Sequence, residues 1–366
     1  MKSARSVRIF TGISIATLAI SAISALAFGT VSASITKIDA FAGIDKRPDK
    51  KSSAINYLLV GSDTREGLTK AELKELRVGS VATAAGKRSD TMLLVHISKA
   101  RDKAVLVSIP RDTFALIPAH VNKAGKTIPA VHSKINSAFN WGGAPLLIQT
   151  IEEMTQLKID HYVEVNFAGF ARVIDSLGGI EVCTKKDIDD PKSHLVLPAG
   201  VHTLNGIEAL KYVRTREFDG LGDIGRMQRQ QAFMSSVLKK ATSAGVLLNP
   251  VTMTSFINSS LAAVTTDEGL KNSDLITLAK QMKSLATSNV RTLTVPLADL
   301  NYYSNGVTAA VLWDPVLAPE LWDRLREDRA VIDEVTASPS PSSTKAAKVE
   351  IVDKFKSRTA DDNICR

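Results

Sequence analysis

Arg88–Thr113, RSDTMLLVHISKARDKAVLVSIPRDT, carries two short apolar runs, Met92–Ile97 and Ala104–Ile109, separated by the charged turn Ser98–Lys103. Runs of this length read as buried strands, and Pro110 stops the second. As an antiparallel hairpin they place the start of the first beside the end of the second, so Arg88 and Asp90 become neighbours of Arg111. A third apolar run, Ile55–Val60, ends in Gly61 and the loop Ser62-Asp63-Thr64-Arg65. If it runs parallel to Ala104–Ile109, Asp63 reaches the same edge. Ligands of open α/β sheets bind outside strand ends. Taken singly, each aspartate is a turn residue. Together, Asp63, Arg88, Asp90 and Arg111 supply what an oxygen-ligated divalent cation and a pyrophosphate need.

A second concentration of charge lies at Tyr212–Gln231, YVRTREFDGLGDIGRMQRQQ. Its first residues alternate, which predicts a strand with Arg214 and Arg216 on one face and Val213 and Thr215 on the other. After a glycine-bearing turn, Asp223 is placed to cap a helix on which Arg226 and Gln230 lie one turn apart. Arginines converging on a helix N-terminus suit a multiply charged oxyanion. A salt-bridged surface strand followed by an ordinary helix is the competing reading.

Between these stretches the pattern alternates. Residues 71–77 read as a short helix and 78–87 as a connection rich in small residues. A helix opens after Gly142-Gly143 at Ala144-Pro145, His161–Val165 is a strand, Phe167–Leu177 a helix closed by Gly178-Gly179, and Ile180–Cys183 a strand. Residues 185–204 read as loop. Helical patterns follow near 223–241, 248–264 and 273–284, then a strand at Val290–Val295 and a helix at Ala318–Arg326. Alternating strands and helices predict an α/β protein with its layers around one sheet. The six histidines are dispersed without metal-like spacing.

The chain has 366 residues and a net charge of +8, enough for one large domain or two ordinary ones. Lys2, Arg5 and Arg8 precede an uncharged apolar run over residues 9–31, long enough to span a bilayer. Ala25 and Ala27 offer a peptidase site, but the run is long for a signal peptide, which favours an uncleaved anchor. Basic residues 1–8 then stay in the cytoplasm and the rest lies outside, which argues against nucleic acid as the partner of the basic charge. Residues 32–54, with Lys46, Lys50 and Lys51, read as a stalk beside anionic lipid, 55–332 as one domain, and 333–366 as a Pro/Ser-rich disordered tail. Cys183 and Cys365 match no metal site. In an oxidising compartment they could pair as a disulfide or remain single thiols.

The motifs INYLLVGSDTR, RSDTMLLVHIS, VSIPRDT, KINSAFNWGG, FAGFARVIDSLGGIEV, LPAGVHTLNGIEALKYVRTRE and GDIGRMQRQQ, in this order over most of residues 55–240, resemble the LytR–CpsA–Psr family of membrane-anchored cell-envelope enzymes. The resemblance implies a central mixed sheet with helices on both faces. It also implies a phosphotransferase that moves an anionic glycopolymer (arabinogalactan, teichoic acid or capsule type) from a polyprenyl-pyrophosphate carrier to peptidoglycan. Asp63 and Asp90 would hold Mg2+ (or Mn2+). Arg88, Arg111, Arg214, Arg216 and Arg226 would grip the pyrophosphate, with Asp223 and Gln230 shaping the site and Arg229 beside the pattern. The helices after Gly143 and Phe167 would line the lipid pocket. Asp63 or Asp112 could act as base. A non-catalytic receptor for isoprenoid phosphates or wall polymer would need the arginines but not the metal, and a lipid pyrophosphatase would use the same charges on water.

Overall fold

The computed structural model describes residues 35–77, 89–122, 124–216, 220, 222–241, 243, 250–271, 274, 287–336 and 349–359. The apolar run at 9–31, the connection at 78–87, Arg88 and Cys365 lie outside the described residues, and Asp90 and Asp223 are described in backbone only. Most of the helix expected at 273–284 also lies outside them.

Eight strands form one mixed sheet: β1 (Thr36–Ile38), β2 (Ile55–Ser62), β3 (Ser89–Ile97), β4 (Ala104–Ile109), β5 (His161–Val165), β6 (Val264–Asp267), β7 (Val290–Thr294) and β8 (Arg358–Thr359). Their order is β1-β6-β5-β2-β3-β4-β7-β8. β3 pairs antiparallel with both β2 and β4, while β5 runs parallel to β2 and β7 parallel to β4. Hence β2, β4, β5 and β7 all end at the edge where β3 begins. The expected parallel relation of Ile55–Val60 to Ala104–Ile109 holds, with β3 between them.

The pleat divides the central strands between two layers. Leu58, Val60, Met92, Leu94, Val107 and Ile109 point into the main core, where α2 (Asn136–Thr155) and α7 (Leu317–Arg326) supply Leu147, Ile148, Ile151, Leu321 and Trp322. Leu59 and Leu93 point the other way, towards α3 (Phe167–Ser176), α4 (Gly206–Arg214) and α5 (Gly222–Ala241). A short helix, α1 (Lys70–Leu76), packs Leu76 under this layer, and α6 (Pro250–Ala263) lies against α3. α2 kinks at Gly143, whose φ of 67° and ψ of −152° only glycine adopts freely, and the second half starts at Ala144-Pro145 as expected.

Four expectations are corrected. Val213 lines the inner cavity together with Arg214 and Arg216 instead of facing away, because Gly206–Arg214 is a helix and not a strand. Asn205 and Glu208 form a reciprocal capping box that starts it, and five alternating residues are too few to outweigh that signal. Residues 185–204 fold into short strands, 188–190 paired with 195–197 and 200–204 paired with 180–184. The stalk joins the domain from Thr36 on: β1 pairs with β6, Ala40 is fully buried, Arg47 bonds Glu152 and Lys50 bonds Asp160. In the tail, 333–336 pairs with 349–352, Phe355 enters the main core and β8 closes the sheet.

Candidate active site

A cavity of about 390 Å³ lies between the sheet and the α3–α5 layer. Its walls follow a gradient along each element. On β2 Leu59 lies deep and Gly61 and Ser62 at the edge; on β3 Leu93 is deep and Thr91 at the edge. On α4 Leu210 is followed one turn later by Arg214, and on α5 Phe233 and Met234 lie behind Arg226 and Gln230. Gln231 fixes the direction of α5, because its Nε2 donates to Ser108 Oγ at 3.0 Å and Thr294 Oγ1 at 2.9 Å, at the ends of β4 and β7. Leu238 then packs near Ala104 and Val290, at the opposite ends of the same strands. The arginines therefore stand at the strand-end edge and the apolar walls run inward from it. The Arg214 guanidinium lies 5.1 Å from the centre of the Phe167 ring, where the two linings meet.

Three residues of α5 at spacings of three and four share a face and do different work. Arg226 is 3% exposed and lines the cavity. Gln230 also lines it, and its Nε2 donates to the Val213 carbonyl at 3.1 Å, satisfying one of the open carbonyls at the end of α4. Arg229 does not line the cavity; its Nη2 donates to the Thr215 carbonyl at 2.5 Å. It is a positioning residue, a role that spacing alone could not separate from anion binding.

Two lining or supporting residues escaped the sequence reading. Lys192 lines the cavity, and Asp190, 1% exposed, accepts a hydrogen bond from the backbone N–H of Arg216. The sequence signal was Asp190 before Pro191 and two residues ahead of Lys192, a turn-forming arrangement.

Of the front-edge residues, Asp63 follows the last residue of β2 and is half-buried. The ladder pairs Gly61 with Thr91 and then Ser62 with Ser89, so Asp90 is the extra residue of a β-bulge beside Asp63. Two carboxylate positions on adjacent strand ends give hard oxygen donors, and Mg2+ characteristically takes one or two of these with water and phosphate oxygens completing its shell. The residues fit such an ion. Arg111 follows β4 at the same edge but is absent from the cavity wall. Its Nε lies 3.3 Å from Asp112, which also faces Lys134 at 3.3 Å. Of the two helices expected to line a lipid pocket, the one after Gly143 packs on the opposite sheet face and is corrected, whereas the Phe167 helix, α3, lines this cavity together with α4 and α5.

Fold and site together define a mixed α/β protein with an arginine-bearing edge opening into an apolar cavity. The model of the LytR_cpsA_psr family matches residues 26–319, and the chain belongs to that family. It is 36% identical over 275 residues to the "Probable cell wall biosynthesis protein LcpB" of Corynebacterium glutamicum, covering 75% of this chain and 62% of the relative. It is 35% identical over 204 residues to the "Polyisoprenyl-teichoic acid--peptidoglycan teichoic acid transferase TagT" of Bacillus subtilis, covering 54% and 56%. The chain thus spans less than two thirds of the length of these relatives. Among solved structures, "TagT bound to LI-WTA" superposes with a TM-score of 0.56 at 28% identity, covering 81% of this chain and 98% of that one. The "LytR-Csp2A-Psr enzyme from Actinomyces oris" shares the fold, with a TM-score of 0.60 at 22% identity over 80% and 96%.

Proposed function

We propose that this protein transfers a glycopolymer from a polyprenyl-pyrophosphate carrier to a peptidoglycan hydroxyl, forming a phosphodiester outside the cytoplasmic membrane. The observation that carries this reading is the gradient of the cavity. Arg214, Arg216, Arg226 and Lys192 share its wall with Leu59, Leu93, Phe167, Phe170, Leu210 and Phe233. That lining suits a ligand with a charged head and a long apolar tail. The relatives named for transfer of polyisoprenyl-linked teichoic acid support the same substrate class, and the relative named for cell wall biosynthesis agrees with it.

In the reaction, the acceptor hydroxyl oxygen forms a bond to the phosphorus carrying the sugar, and the bridging P–O bond to the second phosphate breaks. Polyprenyl phosphate leaves and the hydroxyl proton passes to a carboxylate. Catalysis of this kind is mostly positioning and charge neutralisation. Arg214, Arg216 and Arg226 would hold the pyrophosphate oxygens and stabilise charge developing on the leaving phosphate. A carboxylate at the strand-end edge, Asp63 or Asp112, accepts the proton in this scheme; Asp112 lies 3.3 Å from both Arg111 and Lys134. Asp63 and Asp90 would hold Mg2+, which when bound supplies further neutralisation of the pyrophosphate. The tail would stay in the cavity and the adjacent bilayer, so an anchor at residues 9–31 would keep carrier and enzyme together.

Reconstituted transfer from a synthetic polyprenyl-pyrophosphate glycan to peptidoglycan tests the reading. Arg216→Ala and Asp90→Asn are each expected to lower transfer by at least about a hundredfold, the scale of losing one transition-state contact. Retained transfer in both variants would refute it. Phosphate release without acceptor would point to a pyrophosphatase.

A further inference from the structure

We propose that Asp190 is a positioning residue of this site and that Lys192 is a further anion-binding residue, both acting on the diphosphate of the carrier. The inference rests on the reading above and deepens it. Asp190 closes the strand Ile188–Asp190, and the chain returns at Leu195 directly opposite it. Its carboxylate performs two tasks at once. Oδ1 accepts the N–H groups of Lys192 and Ser193, each at 2.8 Å, and the His194 N–H bonds the Asp190 carbonyl at 2.8 Å. These bonds fold Pro191–His194 into a tight turn, with His194 in the left-handed region at φ 55°. Oδ2 accepts the N–H of Arg216. One carboxylate therefore sets the turn that carries Lys192 and fixes the backbone of Arg216, and both residues line the same cavity.

The Arg216 backbone is gripped from two sides, since the preceding carbonyl, that of Thr215, accepts from Arg229. A buried carboxylate accepting three N–H groups is a strong local constraint. Its two beneficiaries are both cations, and they sit in elements 24 residues apart in sequence, 216 minus 192. A purely architectural carboxylate would be expected to join any two loops. Here the loops it joins are the ones that add positive charge to the cavity wall, which identifies the diphosphate end of the ligand as the partner of Lys192.

The test is calorimetric binding of farnesyl diphosphate and of farnesol to the full-length protein. Lys192→Ala is expected to weaken the diphosphate by about tenfold, the scale of one charged hydrogen bond, with farnesol unchanged and Lys192→Arg restoring affinity. Asp190→Asn keeps an oxygen for the turn but sets an amide against the Arg216 N–H. It is expected to weaken the diphosphate while sparing farnesol, and to cost nothing more when added to Lys192→Ala/Arg216→Ala. Unchanged diphosphate binding in Lys192→Ala would overturn the lysine assignment. Equal loss of both ligands in Asp190→Asn, or full additivity in the triple variant, would overturn the positioning role. If the unsubstituted protein bound the diphosphate no tighter than farnesol, the proposed function itself would fall, and this inference with it.

Discussion

Arg229 Nη2 donates to the carbonyl of Thr215 at 2.5 Å, and both residues are buried, at 7% and 0% exposure. The bond joins the middle of α5 to the first residue after α4. Arg226, three positions before Arg229, and Gln230, the next residue, reach the cavity, so the same helix both lines the cavity and holds the end of α4 in place. Thr215 is also closed on itself, its Oγ1 donating to the Tyr212 carbonyl at 2.8 Å.

Arg229→Met should therefore act on stability and on ligand affinity through different groups. Removing the guanidinium leaves the Thr215 carbonyl buried without its donor, at a cost of about 1–3 kcal/mol. Urea denaturation is expected to show that loss. Affinity for a prenyl diphosphate should fall as well, although Arg229 never touches the cavity. A stable variant with normal affinity would show that Arg216 needs no such support.

Gly206→Ala tests the seat of α4. A Cβ at this position would stand 2.2 Å from the Ala171 carbonyl oxygen, a backbone atom of α3 that cannot move alone. Overpacking of this kind costs about 1–3 kcal/mol or more. The midpoint of urea denaturation should drop, and the displaced α4 should carry Arg214 out of register with Phe167, weakening diphosphate binding. An unchanged midpoint would mean that the α3–α4 contact is looser than the distance implies.

The central sheet was legible because β2, β3 and β4 are continuous apolar runs bounded by Gly61, the Ser98–Lys103 turn and Pro110, signals strong enough to fix strands and direction together. The convergence of Arg214, Arg216 and Arg226 on one cavity wall was legible even though the first two do not lie on a strand. Tyr212–Arg216 alternates by coincidence at the end of a helix whose start, Asn205-Gly206-Ile207-Glu208, carries its own capping signal. β1 and β8 are three and two residues long and have no period to detect. Their assignment depends on a partner 229 residues distant in one case, Thr36 with Thr265, and on Arg291 with Thr359 in the other. Asp190 was hidden for a different reason: its function is to accept backbone N–H groups, which no side-chain pattern records.

The far end of the sheet offers a pH prediction. Asp267 closes β6 and is 1% exposed; burial alone would raise its pKa, but hydrogen bonds from His161 and from the Tyr162 and Leu270 N–H groups outweigh that and hold it below the ordinary value of 3.8. With the folded value depressed, the folded state binds fewer protons than the unfolded one between the two values. The stabilisation is fully present above about pH 4 and is lost as pH falls through the folded value. Asp267→Asn should be less stable at pH 7 by about 1–3 kcal/mol, and the gap to the unsubstituted protein should narrow below pH 4. Denaturation curves at pH 7 and pH 3 decide it; a gap independent of pH would assign the loss to packing instead of charge.

Met234→Trp tests the tail end of the cavity. Met234 lines the wall one turn behind Gln230, on the apolar side of the gradient, where Phe233 and Leu93 also lie. An indole there adds volume to the wall without touching Arg214, Arg216 or Arg226. A short prenyl diphosphate, whose tail fills only the outer part, should keep its affinity to within about threefold, whereas a long polyprenyl diphosphate should lose tenfold or more, since each buried methylene contributes roughly 0.8 kcal/mol. Competition binding with prenyl diphosphates of graded length reads the difference directly. Equal loss at every length would mean the indole disturbs the arginine edge. No loss at any length would mean that the tail leaves the protein before it reaches α5, and the cavity would then hold only the head of the carrier.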